Sequence, residues 1–220
     1  INSNTLMAAK EAGVERFLAV LSTCMYPDVA DSYPMKEEDV HLGPPANANF
    51  SYAYTKRCMA VQIDAYRKQH GLDLYGENDN FEDSNKSHFI TALIKKIVDS
   101  EKEGRSEIAL FGTGKPMRQF MHSSDLANVI KKTVSEGMTE SFNVAPPNQN
   151  YSIHDMAQMT LEVTGHSDWE IKYDSSKPDG QFRKDVSCEK MMHCLGDYEF
   201  IQFKDGVKKV YNALKKSYKE

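Results

Sequence analysis

The chain has 220 residues, of which 40% are hydrophobic and 27% are charged, a composition typical of globular proteins. Its formal net charge of −5 and its pI near 5.8 argue against a nucleic-acid-binding protein, which needs a basic face. No apolar run approaches the length of a membrane span, so no membrane partner is expected. The four cysteines form no C-x-x-C pair. We therefore expect neither a disulfide framework nor a metal site, and a cytoplasmic, reducing location.

The first part of the chain predicts a helix, a strand, a long loop and a second helix. The first helix ends at Gly13, and "RFLAVLS" is a continuous apolar strand of the kind found in parallel sheets. Residues 28–49 are rich in Pro, Asp, Asn and Gly and predict a loop. The helix "NFSYAYTKRCMAVQIDAYRKQH" ends at Gly71. The following "LDLYGENDNFED" is predicted to be a loop, although a strand would be expected there.

The second part alternates helices and strands. The predicted helices are "SHFITALIKKIVDSEKEG", "SSDLANVIKKTVSEG", "SIHDMAQMTLEVTG" and "GVKKVYNALKKSYKE", and the predicted strands are "EIALF", "SFNVA" and "EIKYD". Ser152 and Asp155 have the spacing of a capping box at a helix start. This alternation predicts an α/β fold with a largely parallel sheet.

Two groups of side chains could bind a carbonyl compound and exchange protons with it. Tyr52 and Lys56 lie four residues apart on one helix and so share a face. An ammonium favours the phenolate, so the pair could donate a proton to a carbonyl being reduced, although such pairs are also common on exposed helices. Ser22 and Cys24 follow a strand, where catalytic groups collect in parallel sheets. Ser22 could bind a substrate oxygen, and Cys24 could exchange protons or be a small buried hydrophobe.

Further candidates are a histidine and several cations. His88 lies near a helix start and suits proton transfer, unless it simply faces solvent. The stretch "GTGKPMRQF" lacks P-loop spacing, but Arg118 within it is a suitable bidentate phosphate ligand. Lys177, Arg183 and Lys184 could hold a second anionic group. Solvated surface charge is the alternative for all these cations.

Together these residues resemble a known family. Ser22 with Tyr52-x-x-x-Lys56 resembles the triad of extended short-chain dehydrogenases/reductases. Within that group, the order and context of six segments resemble the GDP-L-fucose synthase family: "STCMYPD", "GPPANANFSYAYTKR", "YGENDNF", "SHFITAL", "FGTGKPMRQFMHSSDLA" and "SKPDGQFRK". The match runs across nearly the whole chain. Cys24 and His88 make it far more specific than the triad alone.

The resemblance implies a Rossmann-type cofactor domain and a smaller C-terminal α/β substrate domain. Residues 1–82 would form the C-terminal part of the cofactor domain, and helix 123–137 and strand 140–145 would return to it or border it. Residues 83–220 would mainly form the domain that binds the GDP-sugar. The resemblance also implies NADP(H) as the cofactor, a homodimer and a cytosolic location.

The family's reaction implies a role for each candidate residue. GDP-4-keto-6-deoxy-D-mannose would be inverted at C3 and C5 and reduced by NADPH at C4. Tyr52 would protonate the C4 oxygen, Lys56 would assist Tyr52, and Ser22 would position the keto oxygen. Cys24 and His88 would exchange the protons at C3 and C5. The cofactor would be held by Tyr52, Lys56 and His88, and the substrate by Lys96, Arg118 and Lys177.

Two features depart from the family pattern. The glycine-rich G-x-x-G-x-x-G loop is absent, and "HGLDLYGENDN" is short of a core strand and a turn. We therefore expect that the first half of the Rossmann domain is missing before Ile1, and that residues are missing between Asp73 and Leu74. The alternatives are another NAD(P)-dependent nucleotide-sugar epimerase or dehydratase, and a truncated, non-catalytic scaffold.

Overall fold

The structure, a computed structural model, describes residues 2–70, 73–77 and 89–217. These residues belong to two compact units. The first unit draws on residues 1–78, 126–145 and 184–198, and the second on residues 79–125, 146–183 and 199–220. No helix among the described residues has both the length and the apolar character needed to cross a membrane.

The first unit contains a β-α-β arrangement with a parallel strand pair. Helix α1 (Asn2–Glu11) precedes strand β1 (Arg16–Leu21), and helix α2 (Phe50–His70) connects β1 to strand β2 (Asp73–Glu77). Parallel strands need such a crossover connection. A small core joins α1, β1 and α2, and its buried members are Leu6, Ala19, Met59 and Ile63.

Strand β2 shows that the predicted loop in "LDLYGENDNFED" is wrong for residues 73–77. Its backbone pairs in parallel with β1, so that Arg16 lies opposite Asp73 and Leu18 opposite Tyr75, and the register shifts between Leu18 and Leu21. Asp, Gly and Glu are poor strand formers, which is why local composition favoured a loop. Pairing with the edge of β1 outweighs this weak preference, because strand stability depends mainly on neighbours.

The predicted strand at 140–145 is also wrong, since residues 141–145 have no regular secondary structure. Side chains hold this segment instead. The Asn143 backbone N–H donates to Glu37 Oε1 at 2.6 Å, and the Tyr26 hydroxyl donates to Asn143 Oδ1 at 2.9 Å. Burial raises the pKa of Tyr26, which keeps its phenol protonated as the donor. Among residues 2–70, 73–77 and 89–217, no strand pairs with this segment. Despite its strand-like composition, the segment therefore does not form a strand.

The second unit contains two small strand pairs and three long helices. Strands β3 (Glu107–Phe111) and β6 (Glu170–Asp174) are parallel, whereas β4 (Met117–Gln119) and β5 (Asn150–Ser152) are antiparallel. The helices are α3 (Phe89–Glu103), α5 (Ile153–Thr164) and α7 (Phe203–Ser217). Two further helices, α4 (Ser123–Ser135) and α6 (Glu189–Leu195), complete the described chain. Of these elements, β4, β5 and α6 were not predicted.

One apolar core supports the second unit. Its fully buried members on α3 are Leu93, Ile94, Ile97 and Val98, which occupy one helix face. Each fully buried aliphatic side chain contributes about 1.5–3 kcal/mol. The predicted capping box at α5 is confirmed, because Ser152 accepts from the Asp155 N–H and Asp155 accepts from the Ser152 N–H. Gly165 ends α5 in the left-handed conformation, with φ of 85°.

A charged network adds to this core where α3, α5 and α7 meet. Glu101 Oε1 accepts from the Tyr211 hydroxyl at 2.9 Å and from Lys215 Nζ at 2.8 Å. The His166 ring nitrogen Nε2 lies 3.0 Å from the same oxygen. Burial opposes ionisation of this carboxylate, but the hydrogen bonds from Lys215 and Tyr211 outweigh it and hold the pKa of Glu101 below its ordinary value.

We expect Glu101→Gln to lower the free energy of unfolding by about 1–2 kcal/mol at neutral pH, because charge-assisted hydrogen bonds are lost. A depressed folded-state pKa gives stability that is present above the unfolded pKa, about 4.3, and is lost as pH falls through the folded value. The deficit in urea unfolding should therefore shrink in acid. Glu103→Gln is the matched control, since Glu103 pairs with exposed Arg105 on the surface. Equal losses in both variants would contradict this role for Glu101.

Candidate functional site

The carboxyl end of β1 presents a hydroxyl and a thiol. Ser22 has extended backbone angles, φ of −159° and ψ of 144°, and caps the short 3-10 helix Thr23–Met25. Its Oγ accepts a hydrogen bond from the Cys24 N–H at 3.2 Å. A hydroxyl that accepts in this way still has its own hydrogen to donate. Ser22 can therefore donate to an oxygen atom of a bound molecule.

Helix α2 brings an ammonium group to the same strand end. Lys56 Nζ donates to the carbonyl of Val20, two residues before Ser22. The same Nζ lies 5.8 Å from the centroid of the Tyr52 ring. Tyr52 is 49% exposed, so its phenol is accessible. In the structure, Lys56 thus contacts both the end of β1 and Tyr52, its predicted catalytic partner.

Arg57 is a positioning residue that the sequence analysis missed. It is only 7% exposed, and it donates to the carbonyl of Met25 at 2.5 Å and to that of Gly43 at 2.8 Å. Burial lowers the pKa of its guanidinium. The sequence held no signal for it, because only the structure shows that Ala53, four residues earlier on the same face of α2, is fully buried.

Cys24 is half-buried, and a lysine from a distant part of the sequence contacts it. Lys184 Nζ lies 3.9 Å from Cys24 Sγ. The sequence instead suggested Lys184 as one of a group of anion-binding cations. His88 lies outside the described residues, so its meeting with Cys24 stays a prediction.

A cavity of about 280 Å³ lies beside this strand end within the first unit. Ser22, Thr23 and Tyr26 line it together with Asn143. In the part of the chain that the structure describes, the Asn143 amide nitrogen is buried without a hydrogen-bond partner. The same part holds no cluster of three or more His, Cys, Asp or Glu side chains that could hold a metal ion.

The second unit presents a rigid loop after β3. Thr113 donates from its backbone N–H to Asp179 Oδ1 at 2.6 Å and from its hydroxyl to Oδ2 at 2.7 Å. These two hydrogen bonds hold the pKa of Asp179 below its usual range. Gly112 has φ of 78°, and a Cβ there would lie 2.3 Å from Asp179 Oδ1. Only glycine therefore allows this close approach.

The other side of the loop packs against α5 and β6. The His154 N–H donates to the Gly114 carbonyl at 2.9 Å. Tyr173 contacts Gly114 so closely that a Cβ would lie 2.5 Å from its ring, and its hydroxyl lies 2.6 Å from His154 Nδ1. The loop before Arg118 is thus fixed from both sides.

The predicted substrate cations occupy different parts of the second unit. Half-buried Arg118 lies on β4, with Nη2 3.8 Å from a Cβ position at Gly180, next to Asp179. Lys96 donates to the Ala109 carbonyl at 2.7 Å and lies 5.0 Å from the Phe111 ring centroid. Burial lowers the pKa of Lys96. Lys177 is exposed in the turn after β6.

Phe111 is a second residue that the sequence analysis missed. Its side chain is 67% exposed, although large aromatic side chains are usually well buried. Along β3, Ile108 and Leu110 point into the core, whereas Phe111 lies on the opposite face. This alternation was the available signal. The exposed ring next to Lys96 can stack on a planar group.

Comparison with known proteins identifies relatives of the chain. The NAD-dependent epimerase/dehydratase family matches residues 1–145. A GDP-L-fucose synthase of Dictyostelium discoideum is 33% identical over 218 residues, which cover 94% of this chain and 67% of the relative. A GDP-L-colitose synthase of Yersinia pseudotuberculosis is 34% identical over 192 residues, which cover 82% of this chain and 61% of the relative.

A solved structure agrees with these sequence matches. The GDP-L-fucose synthetase of Naegleria fowleri bound to NADP has a TM-score of 0.84 and 27% identity, covering 99% of this chain and 71% of that chain. The chain therefore spans about two thirds of the length of the curated relatives it matches. The α/β fold expected from the sequence agrees with this Rossmann-type relative.

We expect Arg57→Met to lower the free energy of unfolding by about 2–4 kcal/mol, because the buried Met25 carbonyl and the half-buried Gly43 carbonyl lose a charged donor. Urea unfolding measures the loss, and Arg57→Lys should lose less because it keeps one charged donor. Arg105→Met is the matched control, since Arg105 pairs with an exposed carboxylate of Glu103 and its loss should change stability by about 0.5 kcal/mol or less. An Arg57→Met variant as stable as the control would show that Arg57 does not hold the turn.

Proposed function

Since the chain belongs to the NAD-dependent epimerase/dehydratase family, we propose that it acts as a GDP-L-fucose synthase. It converts GDP-4-keto-6-deoxy-D-mannose to GDP-L-fucose by inversion at C3 and C5 and reduction at C4. One observation carries the proposal. Three residues that could bind and protonate a carbonyl oxygen, Ser22, Tyr52 and Lys56, lie at the same strand end as the Cys24 thiol. The chain that carries them is 33% identical to a GDP-L-fucose synthase.

We assign cofactor binding to the first unit and GDP-sugar binding to the second. When bound, NADPH supplies the hydride that reduces C4. The Lys56 ammonium can donate hydrogen bonds to a ribose. An ammonium has three N–H donors, and Lys56 directs one of them to the Val20 carbonyl. Its other N–H groups can bind ribose hydroxyls, beside the exposed Tyr52. His88 stays a predicted cofactor contact.

Reduction requires stabilisation of charge on the C4 oxygen. The Ser22 hydroxyl donates a hydrogen bond to this oxygen and holds it in place. The Tyr52 phenol gives its proton to the same oxygen as negative charge develops there. The Lys56 ammonium, 5.8 Å from the Tyr52 ring centroid, stabilises the phenolate that is left.

Inversion uses the acidity that the C4 ketone gives to the hydrogens on C3 and C5. At each carbon a base removes the proton from one face, and an acid returns one to the other face. A thiolate and an imidazole titrate close enough to neutral pH for both tasks. Cys24 and His88 have these roles in the proposal. The negative charge formed on the C4 oxygen is held by the donors that serve the reduction, Ser22 and Tyr52.

The second unit offers matching groups for the nucleotide. The Arg118 guanidinium can bind phosphate oxygens in a bidentate manner, beside a loop that Asp179 holds rigid. The exposed Phe111 ring can stack on the guanine base, and Lys96 over that ring favours an electron-rich partner. Lys177 adds positive charge to attract the diphosphate. This arrangement supports a GDP-sugar as the substrate class.

The proposal also covers a second candidate product, the oligomeric state and the cellular location. The 34% identity to a GDP-L-colitose synthase favours GDP-L-colitose formation as the second candidate. A homodimer is supported by exposed apolar side chains on α2, namely Phe50, Tyr54 and Val61. The cytosolic location stays a prediction.

We expect the protein to consume NADPH with the 4-keto sugar nucleotide and to form GDP-L-fucose. Absorbance measures the consumption of NADPH, and chromatography measures the product. Cys24→Ser should slow product formation by about 100-fold or more, because general acid–base catalysis is lost. The same variant should still reduce the already inverted ketone at close to the parent rate. Cys58→Ser is the control, since Cys58 is exposed. An unchanged rate for Cys24→Ser would contradict the role of Cys24, and no NADPH consumption by the parent would contradict the proposed function.

A further inference from the structure

Lys184 reaches Cys24 across a long stretch of sequence. Its Nζ lies 3.9 Å from Cys24 Sγ, and both side chains are half-buried. The sequence suggested that Lys184 is one of three cations for an anionic ligand. The contact with the thiol indicates a different partner within the protein.

The backbone next to Lys184 is firmly held. Val186 forms a parallel bridge with Met35, in which the Met35 N–H donates to the Asp185 carbonyl at 3.0 Å and the Ser187 N–H donates to the Met35 carbonyl at 2.7 Å. Met35 is fully buried and Val186 nearly so. Lys184 therefore extends from a buried, hydrogen-bonded segment toward Cys24.

Three acidic side chains near this bridge have other partners. Glu37 accepts from the Asn143 N–H at 2.6 Å, and Asp39 accepts from the Lys36 N–H at 2.7 Å. Glu189 pairs with Lys36 Nζ at 3.4 Å. None of these three contacts involves the Lys184 ammonium, which lies 3.9 Å from Cys24 Sγ.

We propose that Lys184 is a positioning residue that stabilises the thiolate of Cys24 and holds it ready as a base. An opposite charge within about 4–6 Å favours the ionised form of a group, and a lysine beside a cysteine is a common cause of a reactive thiolate. The thiolate then takes a proton from a carbon next to the ketone and becomes a neutral thiol. The negative charge moves to the ketone oxygen. This catalytic consequence rests on the proposed function.

The pairing can be tested by alkylation without any catalysis. Only the thiolate reacts rapidly with iodoacetamide, so the rate at neutral pH reports the thiolate fraction. The protein carries Cys58→Ser to remove an exposed thiol, and mass spectrometry follows the peptide that contains Cys24. Lys184→Met and Lys184→Gln remove the charge, and Lys184→Arg keeps it. Lys190→Met is the matched control, because Lys190 pairs with Glu140 at 3.1 Å. Circular dichroism confirms that each variant is folded.

We expect both neutral variants to be alkylated about 5- to 10-fold more slowly at Cys24, because loss of the neighbouring positive charge leaves a smaller fraction of reactive thiolate. Lys184→Arg and Lys190→Met should match the parent. Parent-like or faster alkylation in a folded neutral variant would overturn the proposal and leave Lys184 as a ligand-binding cation only. If alkylation depends on Lys184 but no GDP-L-fucose forms, the proposed function fails and the pairing stands. If the product forms and alkylation ignores Lys184, the pairing alone fails.

Discussion

Two neighbouring cations of helix α2 bind backbone carbonyls on either side of the turn that carries Ser22 and Cys24. Lys56 binds the carbonyl of Val20 before the turn, and Arg57 binds that of Met25 after it. This double attachment fixes the helix that carries Tyr52 against the end of β1. The chemistry proposed for the first unit depends on it, because a carbonyl must meet the hydroxyl, the phenol and the thiol in one arrangement.

Such an attachment has a physical cost that its geometry must offset. Burial of a guanidinium is unfavourable unless its hydrogen bonds are satisfied, and Arg57 donates to the carbonyls of Met25 and Gly43. The attachment preorganises the catalytic groups, and groups held in a fixed geometry avoid an entropic cost during the reaction. Asp179 has a comparable effect in the second unit, where its carboxylate fixes the loop before Arg118 through Thr113.

Local sequence patterns predicted those elements that local forces stabilise. Strand β3 and helix α5 follow from their apolar alternation and their capping box, and both are confirmed. Strand β2 and residues 141–145 were predicted wrongly, because pairing with a neighbouring strand decides them and no local pattern reports that pairing. Candidate roles for "LSTCMYPD" and for Tyr52 with Lys56 could be proposed from residue types together with the family resemblance. Arg57 could not, because its partners come from the turn after β1 and the loop at Gly43.

The position of Lys184 shows the same limit in the candidate site. Its place in "SKPDGQFRK" suggested an anion-binding cluster, whereas the bridge between Met35 and Val186 directs it to Cys24. Contacts across such long separations depend on the folded backbone. The residue types indicated positive charge correctly, but its partner is a property of the tertiary structure.

Solvent exchange at the sugar carbons tests the proposed chemistry most directly. The protein is incubated with GDP-4-keto-6-deoxy-D-mannose in deuterium oxide without NADPH, and nuclear magnetic resonance follows the hydrogens on C3 and C5. We expect both signals to disappear, since inversion passes through proton removal at each carbon next to the ketone. Retention of both hydrogens by a protein that reduces the same substrate with NADPH would contradict the assignment as an epimerase and reductase.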